Sequence, residues 1–266
     1  MSGSERDYEE SVKLARATEL DACTILKSEI GSTSHGVSRS DLSDTDEIAI
    51  YIPPIAEVVG IWPDGDPRRQ AHFVYRPGRR HNEPSKPGDL DRTYHSLRKY
   101  IGMLQSGNAS ALYALFAIER YCDDFGLLLK QLRGSFVNTQ TRSAYLGYMQ
   151  DQRERMIGAR GAAGRIRRSP EGGGEIDWKY AMHMVRLGVQ ANEYLTTGFI
   201  STPSLCREML TSIRYGEVPF ADVMAIAESL EDDLKALDLP DPEMDDHQAT
   251  VWLADMHDAY WSAHPC

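Results

Sequence analysis

The chain has 266 residues, of which 41% are hydrophobic, 9% aromatic and 26% charged; this predicts one large folded domain or two smaller ones and excludes disorder throughout. Its 29 basic and 40 acidic residues give a formal net charge of −11, which excludes a general nucleic-acid coat protein, because phosphate binding depends on excess positive charge. No apolar run approaches the ~18 residues of a membrane span, and the N-terminus lacks an apolar signal-peptide core. The four cysteines stand singly, so a reducing, cytoplasmic location is expected.

The first third of the chain mixes helical patterns with short apolar strands. The segment over 47–52 is β-branched and apolar and is stopped by Pro53 and Pro54, which predicts a strand. Helices are predicted over 8–23 and 93–104, and a second strand over 72–75. The stretch 31–43 is predicted to be rich in turns, and a short segment of mixed pattern precedes it.

The rest of the chain has helical patterns throughout. Helices are predicted over 109–133, 139–157, 176–196, 203–214, 218–237 and 246–263. The glycine-rich segment 158–174 is predicted to be a mobile loop. Strands followed by helices predict an α+β fold. We expect residues 1–107 to form a catalytic domain with a mixed sheet and helices, and residues 108–266 to form an all-α C-terminal domain.

The residues with the most chemistry lie around the first predicted strand. Gly31 and Ser32 form a flexible turn whose backbone N–H and hydroxyl groups can hold phosphate oxygens. Asp44 and Asp46 are two residues apart at the start of the strand, so their side chains share one face. Two carboxylates this close need a cation, and Mg²⁺ binds through one or two carboxylates plus substrate phosphates. Taken separately, the same residues would also fit a solvated acidic pair and an ordinary turn.

A Gly-Ser turn, a short gap and Asp-x-Asp on the next strand resemble the nucleotidyltransferase superfamily that includes DNA polymerase β. The chain is similar to nucleotidyltransferases associated with bacterial and phage RNA-repair and RNA-ligase gene neighbourhoods over the segments 30–54, 91–100 (DRTYHSLRKY) and 177–187 (DWKYAMHMVRL). The resemblance implies transfer of a nucleoside monophosphate from an NTP, such as ATP, to an acceptor hydroxyl with release of pyrophosphate. It also implies two Mg²⁺ ions, with Mn²⁺ as an alternative, and phosphate binding by Ser32 and the Gly31 backbone.

The resemblance also assigns roles to the carboxylates. Asp44 and Asp46 would bind both metal ions. Asp91 is expected to be the third carboxylate, on a neighbouring strand, which binds the ion next to the acceptor hydroxyl and helps to remove its proton. Asp89 is the alternative third acid, and both residues could instead cap the helix that follows.

Cationic side chains are needed to neutralise the triphosphate. Arg98 and Lys99 come shortly after the third acid and are candidates, although a solvated helix face would carry the same residues. Lys179, His183 and Arg186 recur at i, i+4 and i+7 on the predicted helix 176–196. They share one face of that helix, which predicts contacts to phosphate.

An RNA end is the favoured acceptor. The stretch 142–168 holds seven arginines against two acids, and Arg165, Arg167 and Arg168 are predicted to line the path of the RNA. Tyr145 and Tyr148 could stack on a base, although their helical spacing fits the core better. A small molecule or a protein as acceptor, and a non-catalytic nucleotide-binding partner, remain open. A nucleotide-sugar glycosyltransferase also uses Asp-x-Asp, but only 43 residues precede the motif here.

Overall fold

The computed structural model describes residues 3–37, 44–63, 66, 70–79, 83, 85–86, 88–157, 167–168 and 175–264. For residues 3–7, 9, 167, 168 and 175 it describes the backbone alone. The predicted mobile loop over 158–174 lies outside the described residues, apart from the backbone of 167–168.

A five-stranded mixed sheet organises the N-terminal half of the chain. Its strands are β1 (Thr24–Ile30), β2 (Thr45–Tyr51), β3 (His72–Tyr75), β4 (Leu90–Ser96) and β5 (Ile118–Cys122), in the spatial order β3-β4-β2-β1-β5. β2 and β4 run parallel, whereas the other neighbouring pairs are antiparallel. β2 is buried at every position from Glu47 to Tyr51, as expected for a central strand covered on both faces. The parallel pairing places the first residues of β2 and β4 at the same end of the sheet.

Helices of 4 to 20 residues precede, connect and follow these strands. They are α1 (Gly3–Ala22), α2 (Gly31–Ser34), α3 (Ile55–Val59), α4 (Leu97–Gln105), α5 (Ala109–Ala114) and α6 (Asp124–Gln131). α4 contacts β2 and β4, and α5 and α6 contact β1. α4 buries Leu97, Tyr100, Ile101 and Leu104, which is the i, i+3, i+4, i+7 spacing of one apolar helix face.

Helices make up most of the C-terminal half. After a 3₁₀ turn (Leu132–Phe136) come α7 (Thr139–Met156), α8 (Trp178–Thr197), α9 (Arg207–Tyr215), α10 (Phe220–Ala236) and α11 (Asp246–Ala263), with the short strands β6 (Arg167–Arg168) and β7 (Glu175–Ile176) between α7 and α8. α8 packs against α7, α9 and α10. α11 packs on α4 instead, and Trp261 of α11 donates a hydrogen bond to Pro53 O at 2.9 Å. The end of the described chain is thereby fixed next to the end of β2.

The α+β class is confirmed, as are the predicted strands around 47–52 and 72–75 and the helices α7 and α11. The helix predicted over 93–104 begins only at Leu97, because Leu90–Ser96 pairs with β2 as a strand. The short mixed segment after α1 is the strand β1.

The single helix predicted over 109–133 is wrong. It is divided into α5, β5 and α6 because Ile118–Cys122 pairs with β1 at the edge of the sheet. The sheet therefore extends past residue 107, across the predicted boundary between residues 1–107 and 108–266. The division into a catalytic and a helical domain stays a prediction.

Candidate active site

The turn after β1 brings the backbone against the start of β2. Gly31 has φ = +89°, a left-handed conformation that glycine adopts without steric cost. A Cβ atom at this position would collide with the carboxylate of Asp46. The turn therefore requires glycine for its conformation and for the close approach of the backbone to an acidic side chain.

Asp44 and Asp46 form the acidic part of the site. Asp46 is the second residue of β2, and Asp44 directly precedes the strand, so their side chains lie on the same face. Burial raises the pKa of Asp46 and the nearby charge of Asp44 raises it further, while Lys179 and two arginines act in the opposite direction. The carboxylate pair therefore has negative charge that these cations only partly offset, and an additional cation at this position would stabilise it.

Asp91 lies on the neighbouring strand β4, in register with Asp46. Its carboxylate forms ion pairs with Arg79 and, at 3.2 Å, with Arg76 Nε. Asp89 also binds Arg79, at 3.3 Å. Asp91 is the more buried of the two acids, with 19% of its side chain exposed against 31% for Asp89. Register and burial thus favour Asp91 as the third acid beside the pair.

The cationic face of α8 meets the carboxylates across a cavity of about 320 Å³. This cavity is lined by seven of the predicted site residues, namely Gly31, Ser32, Asp44, Asp46, Lys179, His183 and Arg186. Asp177 is the N-cap residue of α8, and its carboxylate accepts the Lys179 backbone N–H at 3.0 Å. The i, i+4, i+7 row of basic side chains on this helix lines the same cavity as Asp46 of β2.

Arg186 is a partly buried cation without a carboxylate partner in the described part of the chain. Its guanidinium contacts His35 Nε2 at 2.8 Å, Gln190 Oε1 at 3.3 Å and His183 Nδ1 at 3.4 Å. Its Nε is buried and has no hydrogen-bond partner, and burial lowers the pKa of Arg186. A desolvated guanidinium without a counter-charge is costly, so this end of the cavity is suited to an anionic ligand.

The two histidines beside Arg186 are neutral. Because an arginine can only donate hydrogen bonds, His35 Nε2 must be the acceptor and therefore carries no proton. Burial, followed by the charge of Arg186, lowers the pKa of His35 to about 2 and that of His183 to about 3. The His35 ring packs on Tyr113 with ring centroids 3.9 Å apart, and Tyr113 shares a 2.9 Å hydrogen bond with Ser34. These contacts fix the position of Arg186 at the cavity wall.

Arg98 and Lys99 are not brought to this cavity. Both are exposed on the first turn of α4 and line a separate groove of about 1330 Å³. That groove lies where β2 and β4 end, whereas Asp46 and Asp91 lie where these strands begin. The geometry does not support the predicted role of Arg98 and Lys99 as triphosphate contacts.

Several cavity residues are not indicated by the sequence. Ser110 and Tyr113 line the cavity from α5, but the sequence pattern places them in one long helix with no preferred direction. Arg214 reaches the cavity from α9. His35 had one available signal, its position four residues after Gly31, but a lone histidine in a turn is a weak indication of a site.

Two alternatives left open by the sequence are decided by the structure. Tyr145 is fully buried and Tyr148 packs against the core, so both belong to the core rather than to a base-stacking surface. Neither Asp89 nor Asp91 caps α4, because the cap is Ser96, whose hydroxyl accepts a backbone N–H of the first turn.

The arginine-rich stretch over 142–168 is described only in part. Arg142 donates to Leu237 O at 2.8 Å, Arg153 pairs with Glu231 at 2.5 Å, and Arg155 pairs with Asp151 at 3.3 Å. These three arginines are therefore engaged within the protein. The side chains of Arg165, Arg167 and Arg168 lie outside the described residues, and their predicted contact with RNA stays a prediction.

The residues at the start of β2 fit a divalent cation. Asp44 and Asp46 offer two hard oxygen ligands side by side, and burial, followed by the charge of Asp44, raises the pKa of Asp46. The described residues contain no group of three or more His, Cys, Asp or Glu arranged to hold a metal, and Asp91 is engaged by arginines. Two carboxylates are nevertheless a typical protein contribution to Mg²⁺, whose other ligands are phosphate oxygens and water.

A mixed sheet, a Gly-Ser turn after β1, an Asp-x-Asp pair at the start of β2 and a further acid in register on β4 agree with the resemblance to nucleotidyltransferases of the DNA polymerase β type. Residues 7–218 match the model of the RNA repair pathway DNA polymerase beta family. The match spans most of the chain, and the chain belongs to this family. The resemblance recognised in the sequence is thereby confirmed.

Among solved structures, the chain matches a nucleotidyltransferase-like protein from Exiguobacterium sibiricum 255-15. The two are 12% identical, the match covers 96% of this chain and 91% of that chain, and the TM-score is 0.31. No curated protein matches the chain significantly. None of the described helices combines the length and the apolar character needed to cross a membrane.

Proposed function

We propose that this protein is a metal-dependent nucleotidyltransferase that transfers a nucleoside monophosphate from an NTP, such as ATP, to an acceptor hydroxyl and releases pyrophosphate. The observation that carries the proposal is the shared cavity, in which the carboxylates of Asp44 and Asp46 face Lys179 and the guanidinium of Arg186, which has no carboxylate partner among the described residues. A metal–triphosphate complex needs both features at once, because its cation requires oxygen ligands and its phosphates require positive charge.

Asp44 and Asp46 would hold two divalent cations, Mg²⁺ or Mn²⁺, with Asp91 as a further ligand. When bound, such ions stabilise the charge on the attacking and leaving oxygens of an in-line displacement. The Asp91 carboxylate would accept the proton of the acceptor hydroxyl. In the described state this carboxylate is paired with Arg79 and Arg76, so those pairs must open before Asp91 takes this role.

The triphosphate would lie along the opposite wall of the cavity. Ser32 and the Gly31 backbone would bind the β- and γ-phosphates, and Lys179 and Arg186 would neutralise their charge, with His183 beside them. The acceptor oxygen forms a bond to the α-phosphorus while the bond between the α-phosphorus and the bridging oxygen breaks, and pyrophosphate leaves.

The acceptor in this proposal is an RNA end. The description of the family as part of an RNA repair pathway supports it. A cytoplasmic location belongs to the same proposal and rests on the singly placed cysteines, of which Cys23, Cys122 and Cys206 are free thiols in the described residues.

The test is transfer of label from α-³²P-labelled NTPs to RNA oligonucleotides with Mg²⁺ or Mn²⁺, with hydroxylated small molecules and protein as other acceptors. We expect labelled RNA with the wild-type protein and less than about a tenth of that activity with Asp46→Asn, because loss of a metal ligand removes transition-state stabilisation. The melting temperature of Asp46→Asn should not fall, since the substitution relieves repulsion from Asp44. Asp232→Asn, which removes an exposed charge on α10, is the matched control and should keep full activity.

Three other results of this experiment would change the proposal. More than a tenth of the activity in Asp46→Asn would contradict the metal-ligand assignment. Label on a small molecule or protein, but not on RNA, would replace the acceptor. Stabilisation by NTP and metal without any labelled product would indicate a non-catalytic nucleotide-binding protein.

A further inference from the structure

The turn that follows β3 carries two arginines. Its four residues are Arg76, Pro77, Gly78 and Arg79, and the Arg79 backbone N–H lies 3.4 Å from Arg76 O. Proline in the second position and Gly78, with φ = +68°, in the third are typical of a type II turn. The Gly78 N–H also donates to the carboxylate of Glu10 on α1. We call residues 76–79 the arginine turn.

The arginine turn lies at the acidic end of the sheet. Tyr75, the last residue of β3, pairs with β4 one residue beyond Asp91. On the other side, Asp91 pairs with Asp46, and Asp46 pairs with Ile30, which directly precedes the Gly-Ser turn. Across four strands ~4.8 Å apart, this end of the sheet therefore presents the Gly-Ser turn, Asp46, Asp91 and the arginine turn, in that order.

This order places the arginine turn on the side from which the acceptor approaches. In the proposed function, pyrophosphate leaves next to Gly31 and Ser32, and an in-line displacement needs the attacking oxygen on the opposite side of the α-phosphorus. That side holds Asp91 and the arginine turn. Neither Arg76 nor Arg79 belongs to the described lining of the cavity that would hold the triphosphate.

Both arginines are paired with Asp91 in the free protein. Arg76 Nε lies 3.2 Å from its carboxylate. Arg79 pairs with Asp91 and, at 3.3 Å, with Asp89; its side chain is 6% exposed, and its Nε is buried without a hydrogen-bond partner. When Asp91 turns to the metal ions of the proposed function, the arginines lose the acid that they share. A phosphodiester can replace it, because phosphate oxygens accept the paired N–H donors of a guanidinium.

We propose that Arg76 and Arg79 bind the phosphodiester next to the acceptor hydroxyl of RNA, in exchange for their ion pairs with Asp91. The inference rests on the proposed function, from which it takes the RNA acceptor and the metal ions. Binding of the strand and engagement of Asp91 by metal then favour each other. An acceptor without a phosphate lacks this contact, so the arginine turn selects a nucleic acid strand over a hydroxylated small molecule.

The test uses the full chain, an internally fluorescein-labelled, unstructured RNA 12-mer, Mg²⁺ and the α,β-methylene analogue of ATP, which cannot release pyrophosphate. Fluorescence anisotropy gives the Kd at several salt concentrations. We expect R76Q/R79Q to bind about tenfold more weakly and to lower the slope of log Kd against log salt by about 0.7, the value for one phosphate contact to a single strand. The matched control R98Q/K99Q, which removes two exposed cations of α4, should change neither quantity, and equal effects of the two variants would overturn the proposal.

An uncharged methylphosphonate at the linkage nearest one end of the RNA, and then at the other, tests the contact itself. At the acceptor end it should weaken binding to the wild-type protein about as much as R76Q/R79Q does. It should have no further effect on R76Q/R79Q, because both changes remove the same contact. Effects that add at both ends would indicate that the arginines act only through the structure, and would overturn the proposal.

Two single variants serve if R76Q/R79Q does not fold. Arg76→Gln changes the more exposed arginine, whose side chain is 33% exposed, and should also lose sensitivity to the methylphosphonate. Asp91→Asn should tighten RNA binding without metal or nucleotide, because it releases both arginines. Asp44→Asn, which removes an acid that has no ion pair with Arg76 or Arg79 in the described part of the chain, should tighten it less. Equal effects of the two acid variants would contradict the exchange.

Failure of this inference differs from failure of the proposed function. Labelled RNA together with additive effects would leave nucleotidyl transfer intact and refute the arginine contact. Absence of any labelled product, together with non-additive effects, would refute the activity and support the contact. Calorimetric titration separates the two phosphate groups: R76Q/R79Q should keep the wild-type Kd for Mg-ATP, and a tenfold rise would assign the arginines to the triphosphate, against the proposal.

Discussion

At the scale of single residues, the partners of Arg186 decide what the cavity can bind. Its contacts are two neutral histidines and one amide, so its positive charge is oriented without being neutralised. A carboxylate partner would hold the side chain equally well but would reduce its attraction for a phosphate. Arg79 differs from Arg186 in this respect, because Asp89 and Asp91 neutralise its charge.

Replacing Arg186 should weaken nucleotide binding. We expect Arg186→Gln to raise the Kd for Mg-ATP roughly tenfold to a hundredfold, because a charge-assisted hydrogen bond contributes about 1.5–3 kcal/mol. Calorimetric titration or the thermal shift with ATP measures this. Lys99→Gln is the control, since Lys99 is exposed on α4 and does not line this cavity. An equal loss of ATP affinity in both variants would contradict the assignment of the triphosphate to the cavity.

The neutral state of His35 predicts a pH dependence of stability. The pKa of this buried residue is lowered to about 2 from 6.5, so below about pH 6 the unfolded chain binds a proton that the native chain does not. His35 therefore makes the free energy of unfolding fall as the pH drops from 6.5, by at most about 1.4 kcal/mol per pH unit. Above pH 6.5 both states are neutral at this position and the effect vanishes.

The variant His35→Gln should flatten this dependence, because glutamine can accept the hydrogen bond from Arg186 but does not titrate. Urea unfolding at pH 7, 6 and 5 measures the slope. The exposed His247 provides the control variant His247→Gln, which should retain the wild-type slope. Identical slopes for wild type and His35→Gln would show that His35 is protonated in the native protein.

At the scale of elements, the parallel register of β2 and β4 assembles the acidic side of the site. Asp46 pairs with Asp91 across the two strands, although 45 residues separate them in the chain. β1 approaches from the other side and delivers the Gly-Ser turn. Every carboxylate of the proposed site thus depends on the register of one strand pair, and a shift by one residue would turn these side chains to the other face.

This register predicts different effects for the two candidate third acids. Asp91→Asn should abolish transfer with little change in the Kd for Mg-ATP, because Asp44 and Asp46 still hold the metal–triphosphate complex. Asp89→Asn should retain most of the activity, since Asp89 lies before the first residue of β4, two residues from the position in register with Asp46, and is the more exposed acid. Single-turnover transfer and ATP titration test both variants. An inactive Asp89→Asn with an active Asp91→Asn would exchange the two assignments.

At the scale of the whole molecule, the site depends on helices outside the segment that matches the family model. α10 lies beyond residue 218 and packs against α8, which carries the basic row. Arg153 of α7 pairs with Glu231 of α10 at 2.5 Å, and Asn192 of α8 donates to Leu230 O at 3.1 Å. α10 thus stabilises the position of α8, whose basic side chains line the cavity.

A core substitution in α10 should therefore destabilise the protein as a unit. Leu234 is fully buried, and Leu234→Ala should lower the free energy of unfolding by about 2–5 kcal/mol through lost burial and a residual cavity. Glu228→Ala, at an exposed position of the same helix, should stay within about 0.5 kcal/mol of wild type. Chemical denaturation measures both. A wild-type midpoint for Leu234→Ala would show that α10 contributes little to the stability of the fold.

The sequence by itself determined the elements whose signal is local. The β-branched run stopped by two prolines marked β2, and the spacing of apolar residues marked the long helices, because side-chain periodicity reflects which face of each element is buried. Asp44 and Asp46 share a face for the same local reason, as do Lys179, His183 and Arg186. The Gly-Ser turn and the Asp-x-Asp pair indicated the superfamily, and the segments 91–100 and 177–187 indicated the family.

Only the tertiary structure decided which of these faces meet. Strand β5 was missed because its pairing with β1 joins segments about 90 residues apart, and no local pattern records such a contact. Arg98 and Lys99 are close to Asp91 in sequence but lie at the opposite end of β4, because an extended strand advances ~3.3 Å with each residue. His35 and Tyr113 joined the cavity through packing between distant segments. Local sequence sets which side chains share an element, whereas the site is formed by long-range packing between elements.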